Sequence, residues 1–493
     1  MEFDTLNFGA PAAERDINIG LADYFVESDA YHRVLTRKKT IVLGNRGSGK
    51  SAIFKIMARK SKIAGSHVLE LNPEDYSYEM LSQALRKETE GAWAKQGAFA
   101  SAWKYLIYVL IMKEITKSGA HSKSKSLEKI HAYLRDNHRG FQDTPIDLLV
   151  SYLKRIEGIK IGSVQASLKS RELANLYKLE EIEPLLPCLI ELSAKRKVYV
   201  FVDELDKGWD TSEDAKAFVA GIFQASISIN QLTPNITINV SLRRELYDSI
   251  PALYDDAQKY RDIIETVYWD EPSLLSLVAR RIKHSIPSLS NATDETAWKT
   301  VFAETLQYRQ SNSFNYIIDR TLYRPREIIQ FCTDCLEEAR SHRTFPIDYP
   351  VIAQAELKYG EARTKDIAAE YKFQFPGLLS LFEVFRGHTY TFDRKDLESL
   401  CLAIALGESK LDIDAQKWAL NQDPEFLIDA LWHVGFLRAQ AVGGVKALRR
   451  SGSSYLGPHQ VSNLNLKNIS RFHIHPMFRA FLGLKEAREV SPE

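Results

Sequence analysis

The stretch Thr40-Ile41-Val42-Leu43-Gly44-Asn45-Arg46-Gly47-Ser48-Gly49-Lys50-Ser51 decides how the chain is read. Its first residues form a short β-branched and aliphatic run, the composition of a strand. The eight that follow have the spacing of a phosphate-binding loop, GxxxxGK[ST]. Glycines at these places let the backbone turn so that its N–H groups converge on a β-phosphate. Lys50 then supplies a point charge toward the β and γ oxygens, and Ser51 offers a hydroxyl to Mg²⁺. Ala52-Ile53-Phe54-Lys55-Ile56-Met57-Ala58 continues the run as a helix. A glycine-rich turn between strand and helix would account for the glycines but would not need Lys50 and Ser51 where they stand. Gly44, Asn45, Arg46, Gly47, Ser48, Gly49, Lys50 and Ser51 are therefore expected to hold ATP together with Mg²⁺.

A second run, Lys197-Val198-Tyr199-Val200-Phe201-Val202, is nearly continuous in apolar residues and ends in Asp203-Glu204. Such a run reads as a central parallel strand covered on both faces. An acid at the carboxyl end of a strand beside the loop can hold Mg²⁺ through water, and the next acid can orient or deprotonate an attacking water. Asp203, with Ser51, is the expected metal ligand, and Glu204 the expected catalytic acid. Asp206 reads either as a further acid of this site or as a solvated loop carboxylate.

Three more strand-like runs, residues 66–71, 235–242 and 263–269, complete five strands separated by helical stretches. The implied fold is α/β, a five-stranded parallel sheet with its ligand at the carboxyl edge. The 65 Lys plus Arg against 64 Asp plus Glu give a net charge of +1, so no global field draws the chain to a polyanion. Hydrophobic residues at 45% and charged residues at 26% exclude a disordered or fibrous chain. Four cysteines in 493 residues are not a disulfide framework. No run reaches the ~18 to 20 apolar residues of a membrane span, and the first residues lack the pattern of a signal peptide. The expected location is the cytoplasm, with no membrane anchor.

Beyond the last strand, residues 272–286 and 316–339 read as amphipathic helices, with Arg324-Pro325-Arg326-Glu327-Ile328-Ile329-Gln330-Phe331 opening the second. With these motifs in place the chain resembles the AAA+ superfamily of P-loop ATPases, and within it the Orc-type initiators and the STAND and related prokaryotic ATPases. The resemblance covers roughly residues 10–365 and implies an ATPase whose helical lid carries a sensor arginine. Arg326 matches that place, with Arg324 as competitor. It also implies that residues 235–241 are the sensor strand, with Ser241 or Arg243 near the γ-phosphate. Arg261, in Lys259-Tyr260-Arg261-Asp262, matches the arginine that reaches a neighbour's nucleotide; Arg244 is second, and an intramolecular ion pair is the other reading. The catalytic set so implied is Glu204, Lys50, Arg261 and Arg326.

Roughly 150 residues lie between Ser51 and Asp203, which makes residues 75–195 an insertion. Its pattern is helical over 80–93, 100–118, 127–136, 146–156 and 172–195, and Trp93, Trp103, Tyr105 and Tyr108 recur at spacings that favour packing. The Lys and Ser stretch 117–125 reads as an exposed loop. Cys332 and Cys335 lie within a helix and lack the further ligands zinc requires. The expected division is 1–271 for the ATPase core with its insertion, 272–370 for a helical lid, and 371–493 for a winged-helix-like module. In the last, helices over 378–385, 395–405 and 424–434 precede strands at 435–439 and 472–475, which flank a loop holding Lys446, Arg449, Arg450 and Lys467. Residues 373–480 could thus contact DNA or pack against protein, and His473 and His475 read as packing residues. Two functions follow as expectations. One is a nucleotide-driven switch that assembles as a homo-oligomer or with a partner effector protein, of the kind found in prokaryotic anti-phage defence. The other is an initiator-like ATPase acting on duplex DNA.

Overall fold

The computed structural model describes residues 2–71, 92–118, 124–138, 179–206, 209, 211–254, 260–307, 311–440, 455–461 and 464–486. The chain divides into two compact units, Glu27–Tyr268 and a two-segment unit of Met1–Val26 with Trp269–Glu493.

The unit Glu27–Tyr268 is built on five strands: β1 (Ile41–Gly44), β2 (His67–Leu71), β3 (Val198–Val202), β4 (Ile236–Arg243) and β5 (Ile264–Thr266). Their order is β2-β3-β4-β1-β5 and every pairing is parallel, as the sequence predicts. β4 is buried along nearly its whole length, and its two faces differ in kind. Ile236, Ile238, Val240 and Leu242 enter the apolar core. Thr237, Asn239 and Ser241, also buried, turn to the opposite face. Parallel neighbours in register share a face, so Asn239 lies beside Phe201, which meets Phe54 of the helix Lys50–Ile63 at 5.3 Å. This helix therefore covers the polar face of the sheet.

The apolar face is covered by the helix Glu213–Asn230, against which the insertion's long helix Ala92–Ser118 packs. Gly221 lets the two approach: a Cβ there would stand 2.9 Å from the Ala100 nitrogen and 2.7 Å from the Phe99 Cβ. Trp103, Tyr105 and Tyr108 are buried, with Trp103 Nε1 donating to the Phe218 carbonyl at 3.2 Å, so these aromatics pack as expected. The helix expected over 172–195 is interrupted, among its described residues, by a 3-10 turn Glu183–Leu185 before Leu186–Lys195. Pro184 and Pro187 are the physical cause, since neither has an N–H for a helical hydrogen bond. The helices expected at 80–93 (up to residue 91) and 146–156, and most of the 117–125 stretch, lie outside the described residues, as does the side chain of Trp93.

In the other unit the helix Glu271–Ser285 starts at an Asp270 N-cap. The helix expected over 316–339 is instead two, Ser313–Ile318 and Pro325–His342. Tyr323 adopts φ 57° and Pro325 occupies the first turn, so the chain restarts there. Cys332 and Cys335 are fully buried in the apolar core, and burial raises both thiols above their usual range. Beyond Tyr349–Glu370 come the helices Arg394–Ala405, Ile413–Ala419 and Pro424–His433 and an antiparallel sheet of β6 (Thr391–Asp393), β7 (Leu437–Gln440), β8 (Tyr455–Leu456) and β9 (Arg471–Ile474). The expected strand pair is β7 with β9, Leu437 opposite Ile474; β6, β8 and the helix Ile413–Ala419 add to it. His473 stacks on Tyr455, and buried His475 accepts from Arg438 at 2.8 Å, so both histidines are packed.

The sequence division placed residues 1–26 with the ATPase core, whereas here they pack with Trp269–Glu493. Leu6 and Phe8 enter that unit's apolar core, and Arg340 donates to the carbonyls of Phe3, Asp4 and Leu6. The anchor is a buried ion pair, Arg281 to Asp16 at 2.9 Å, with side chains 5% and 1% exposed. Asp16 also accepts from the Tyr24 hydroxyl and the Ala10 N–H, both at 2.7 Å, and Arg281 donates to the Phe8 carbonyl at 2.7 Å. Removing one partner strands a buried charge, so Asp16→Ala is expected to cost about 3 to 5 kcal/mol. Urea unfolding of the full chain should show the loss, and Asp16→Ala combined with Arg281→Leu should recover much of it. An Asp16→Ala chain as stable as the wild type would remove the pair from this account.

Candidate nucleotide-binding site

The site is assembled at the carboxyl ends of β1, β4 and β3. Gly44 ends β1, and the loop turns through Gly47 (φ 79°) and Gly49 (φ 96°), conformations that side-chain-bearing residues rarely adopt. Lys50 begins the helix directly after Gly49, so the loop's backbone N–H groups gather at a helix amino end. Lys50 Nζ donates to the carbonyls of Gly44 at 2.7 Å and Asn45 at 3.1 Å. Burial lowers the Lys50 pKa, while the carboxylates of Glu245, Asp203 and Asp206 act in the opposite direction.

Asp203 follows β3 and is 8% exposed. Its Oδ1 accepts from the Ser241 hydroxyl and from the Glu204 N–H at 2.9 Å. Both bonds fall on one oxygen, which leaves Oδ2 for a cation. A carboxylate and the Ser51 hydroxyl are hard oxygen donors of the kind Mg²⁺ takes when phosphates complete its shell, so these residues fit the metal. Glu204 holds φ 58°, a left-handed conformation uncommon for a residue with a side chain and typical of functional sites. Asp206 is neither free nor solvated: it forms an ion pair with Arg243, the last residue of β4.

Of the expected site residues, the structure brings together Gly44 to Ser51, Asp203, Glu204, Ser241 and Arg243. Arg261 is exposed and precedes β5, at the edge of the sheet opposite Gly44. It stands at least about 10 Å below the level of its own chain's loop, the length of three strand steps. Arg244 forms a surface ion pair with Asp248 at 2.9 Å, one helical turn on. Arg326 lies in the other unit, its Nε 3.4 Å from the Pro11 carbonyl. Arg324 is buried and bound to Glu370 at 2.8 Å and near Glu327 at 3.7 Å. Its guanidinium lies in that interior network, whereas Arg326 stands outside it. Sequence reasoning missed the partnership of Asp206 with Arg243; a third acid after Asp203-Glu204, with an arginine ending the sensor strand, was its only trace.

Fold and site define a P-loop ATPase domain of the AAA+ class. Residues 8–62 match the ORC-CDC6-like family model, and residues 272–368 match the model of the FunZ-associated C-terminal helical domain. The "Putative transposon gamma-delta 80.3 kDa protein" of Escherichia coli (strain K12) is 25% identical over 511 residues, spanning 99% of this chain and 69% of that protein. Among solved structures, the ORC2 protein of Aeropyrum pernix, in ADPNP-ADP complexes, is similar at 10% identity and a TM-score of 0.29, over 96% of this chain and 95% of that one.

The Ser241 hydroxyl orients a carboxylate expected to face Mg²⁺, and such supporting bonds are typically worth 10- to 100-fold in metal affinity. Ser241→Ala should therefore raise the Mg²⁺ concentration that half-saturates nucleotide binding by about tenfold, with an unchanged circular dichroism spectrum. An unaltered Mg²⁺ requirement would assign Ser241 to packing alone.

Proposed function

We propose that this chain is an ATP-hydrolysing molecular switch that controls assembly with partner proteins. The observation that carries the reading is the convergence of the loop Gly44–Ser51 with Asp203, Glu204, Ser241 and Arg243 at one edge of a parallel sheet. Bound ATP with Mg²⁺ would supply the transferable γ-phosphoryl group and the charge that offsets its oxygens. The loop N–H groups would hold the β-phosphate and Lys50 the β and γ oxygens. Asp203, fixed by Ser241, would hold the metal's water ligand, and Glu204 would orient the attacking water and take its proton. Arg261, on the far edge of the sheet, would act only on the nucleotide of a second copy. Arg326 is proposed as the lid arginine that answers to ATP.

A protein partner is favoured over duplex DNA by the carboxy-terminal module. The sheet order β6-β9-β7 with helices before β7 supports a winged-helix reading. Yet the helix Pro424–His433, which precedes β7, contains neither lysine nor arginine and exposes Phe426 and Asp429. A helix that enters a DNA groove is expected to be basic. Lys446, Arg449 and Arg450 lie outside the described residues, and Lys467 is exposed. The proposed setting is the cytoplasm, in an anti-phage defence system. The name of the E. coli relative, which links that protein to a transposon, supports a connection with mobile DNA.

The roles separate by substitution. Lys50→Ala is expected to abolish ATP binding, whereas Glu204→Gln should bind ATP normally and stop turnover. Equal loss of binding in both would contradict the assignment. Arg261→Ala should bind ATP and turn over slowly, since a finger arginine is worth about 10³ to 10⁵ in rate. Mixed with Lys50→Ala, it should regain turnover above either variant alone, because some interfaces then join an intact arginine to an intact loop. A mixture that stays inactive while the wild type assembles with ATP would rule out action in trans.

A further inference from the structure

The helix Pro424–His433 turns Leu427, Ile428 and Leu431 into the core, while Phe426, Asp429 and His433, spaced for one face, stand exposed. Aromatic rings continue that face. Phe426 meets Trp418 of the helix Ile413–Ala419 at 6.3 Å, Trp418 meets Phe375 at 5.0 Å, and His433 lies 6.5 Å from Phe375 and 5.6 Å from Tyr371. Gly377 makes this approach possible: at φ 74° it passes so close that a Cβ there would stand 2.6 Å from the Ala415 nitrogen. Trp418 Nε1 donates to the Pro376 carbonyl at 2.7 Å, which fixes the ring. Phe426 remains 41% exposed. Aromatic rings held in this way anchor protein interfaces, because they bury a large apolar area at little conformational cost.

The charge around the rings is one-sided. Residues 412–433 hold five carboxylates, Asp412, Asp414, Asp423, Glu425 and Asp429, against the single lysine Lys417, in a chain whose net charge is +1. Lys417 is taken by Asp414, and Glu425 by Arg394. Asp412 and Asp423 cap helices. Asp429, one turn from Phe426, serves neither purpose among the described residues. Burial and the neighbouring Glu425 push its carboxyl up, against the pull of Lys467 and Arg394.

We propose that this face docks an arginine- or lysine-bearing segment of a partner protein, its cation against Asp429 and the rings of Phe426 and Trp418, its apolar residues along the aromatic row. The proposal rests on the reading above that the partner is a protein. The same carboxylates repel a polyanion, and a second copy docking by this face would set acid against acid.

Fluorescence anisotropy of the full chain with a labelled synthetic peptide alternating arginine and leucine tests it, with a peptide alternating glutamate and leucine as control. The basic peptide should bind saturably and the acidic one should not. Phe426→Ala should weaken binding at least about tenfold, as loss of an aromatic anchor does. Asp429→Asn should weaken it about two- to fivefold, the range of an exposed ion pair, and Asp429→Lys more. Both side chains are exposed, so the melting temperature should hold; Asp429→Asn carries the test if Phe426→Ala fails to fold. Binding indifferent to these substitutions, or displaced by duplex DNA, would overturn the proposal. So would a wild type that ignores the peptide and sediments as a dimer which Phe426→Ala dissociates, since the face would then belong to a second copy. ATP turnover in the same samples keeps the readings apart: a chain that hydrolyses ATP and ignores the peptide overturns this inference alone, whereas one that binds the peptide and hydrolyses no ATP overturns the switch and leaves the docking face standing.

Discussion

Parallel pairing of β4 with both β1 and β3 is the constraint on which the site depends. Because the three strands run the same way, Gly44, Arg243 and Asp203 emerge at one edge, although they come from parts of the chain some 200 residues apart. Reversing any one strand would send its terminal residue to the opposite edge, where Arg261 lies. The second half of the constraint is the two-faced burial of β4. Its aliphatic residues anchor it in the core, while Thr237, Asn239 and Ser241 form a polar row beneath the loop helix. Buried polar groups are costly unless bonded, and Ser241 meets that requirement by fixing Asp203. The strand thus orders Asp203 as part of its own packing.

The same economy governs the unit of Met1–Val26 with Trp269–Glu493. Three arginines there, Arg281, Arg324 and Arg438, are buried and paired with carboxylates: Asp16, Glu370 and the partly exposed Asp319. A buried arginine without its acid would be strongly destabilising, so each pair joins the segments that carry it. The Asp16 pair ties the first residues of the chain to the helix Glu271–Ser285. The Arg438 pair ties β7 to the turn after Ser313–Ile318, so the helical region and the carboxy-terminal strands share one core.

The strands and the loop were legible because their signals are local. Val198 to Val202 can only be a covered strand, and the loop spacing specifies its own turn. The helices that start after Ser212 and Asp412 were not read, although both residues cap them by accepting a backbone N–H. What sequence could not give are the long-range partners. Nothing near Asp16 announces Arg281, and nothing near Asp206 announces Arg243, because each pairing depends on how distant elements cross. Arg324 and Arg326 flank the same proline and are equivalent in the sequence; only the depth of Glu370 separates them. The break at Tyr323 was missed for a related reason, since apolar periodicity runs through Pro325 as though the helix were continuous.

The central claim is that this edge of the sheet is a single, magnesium-dependent nucleotide site. Calorimetric titration of the wild-type chain with a non-hydrolysable ATP analogue, with Mg²⁺ and then with a chelator, tests it most directly. The account predicts saturable binding of one nucleotide per chain that weakens sharply when Mg²⁺ is withdrawn. Absence of saturable binding, or binding at a different stoichiometry and indifferent to Mg²⁺, would contradict it.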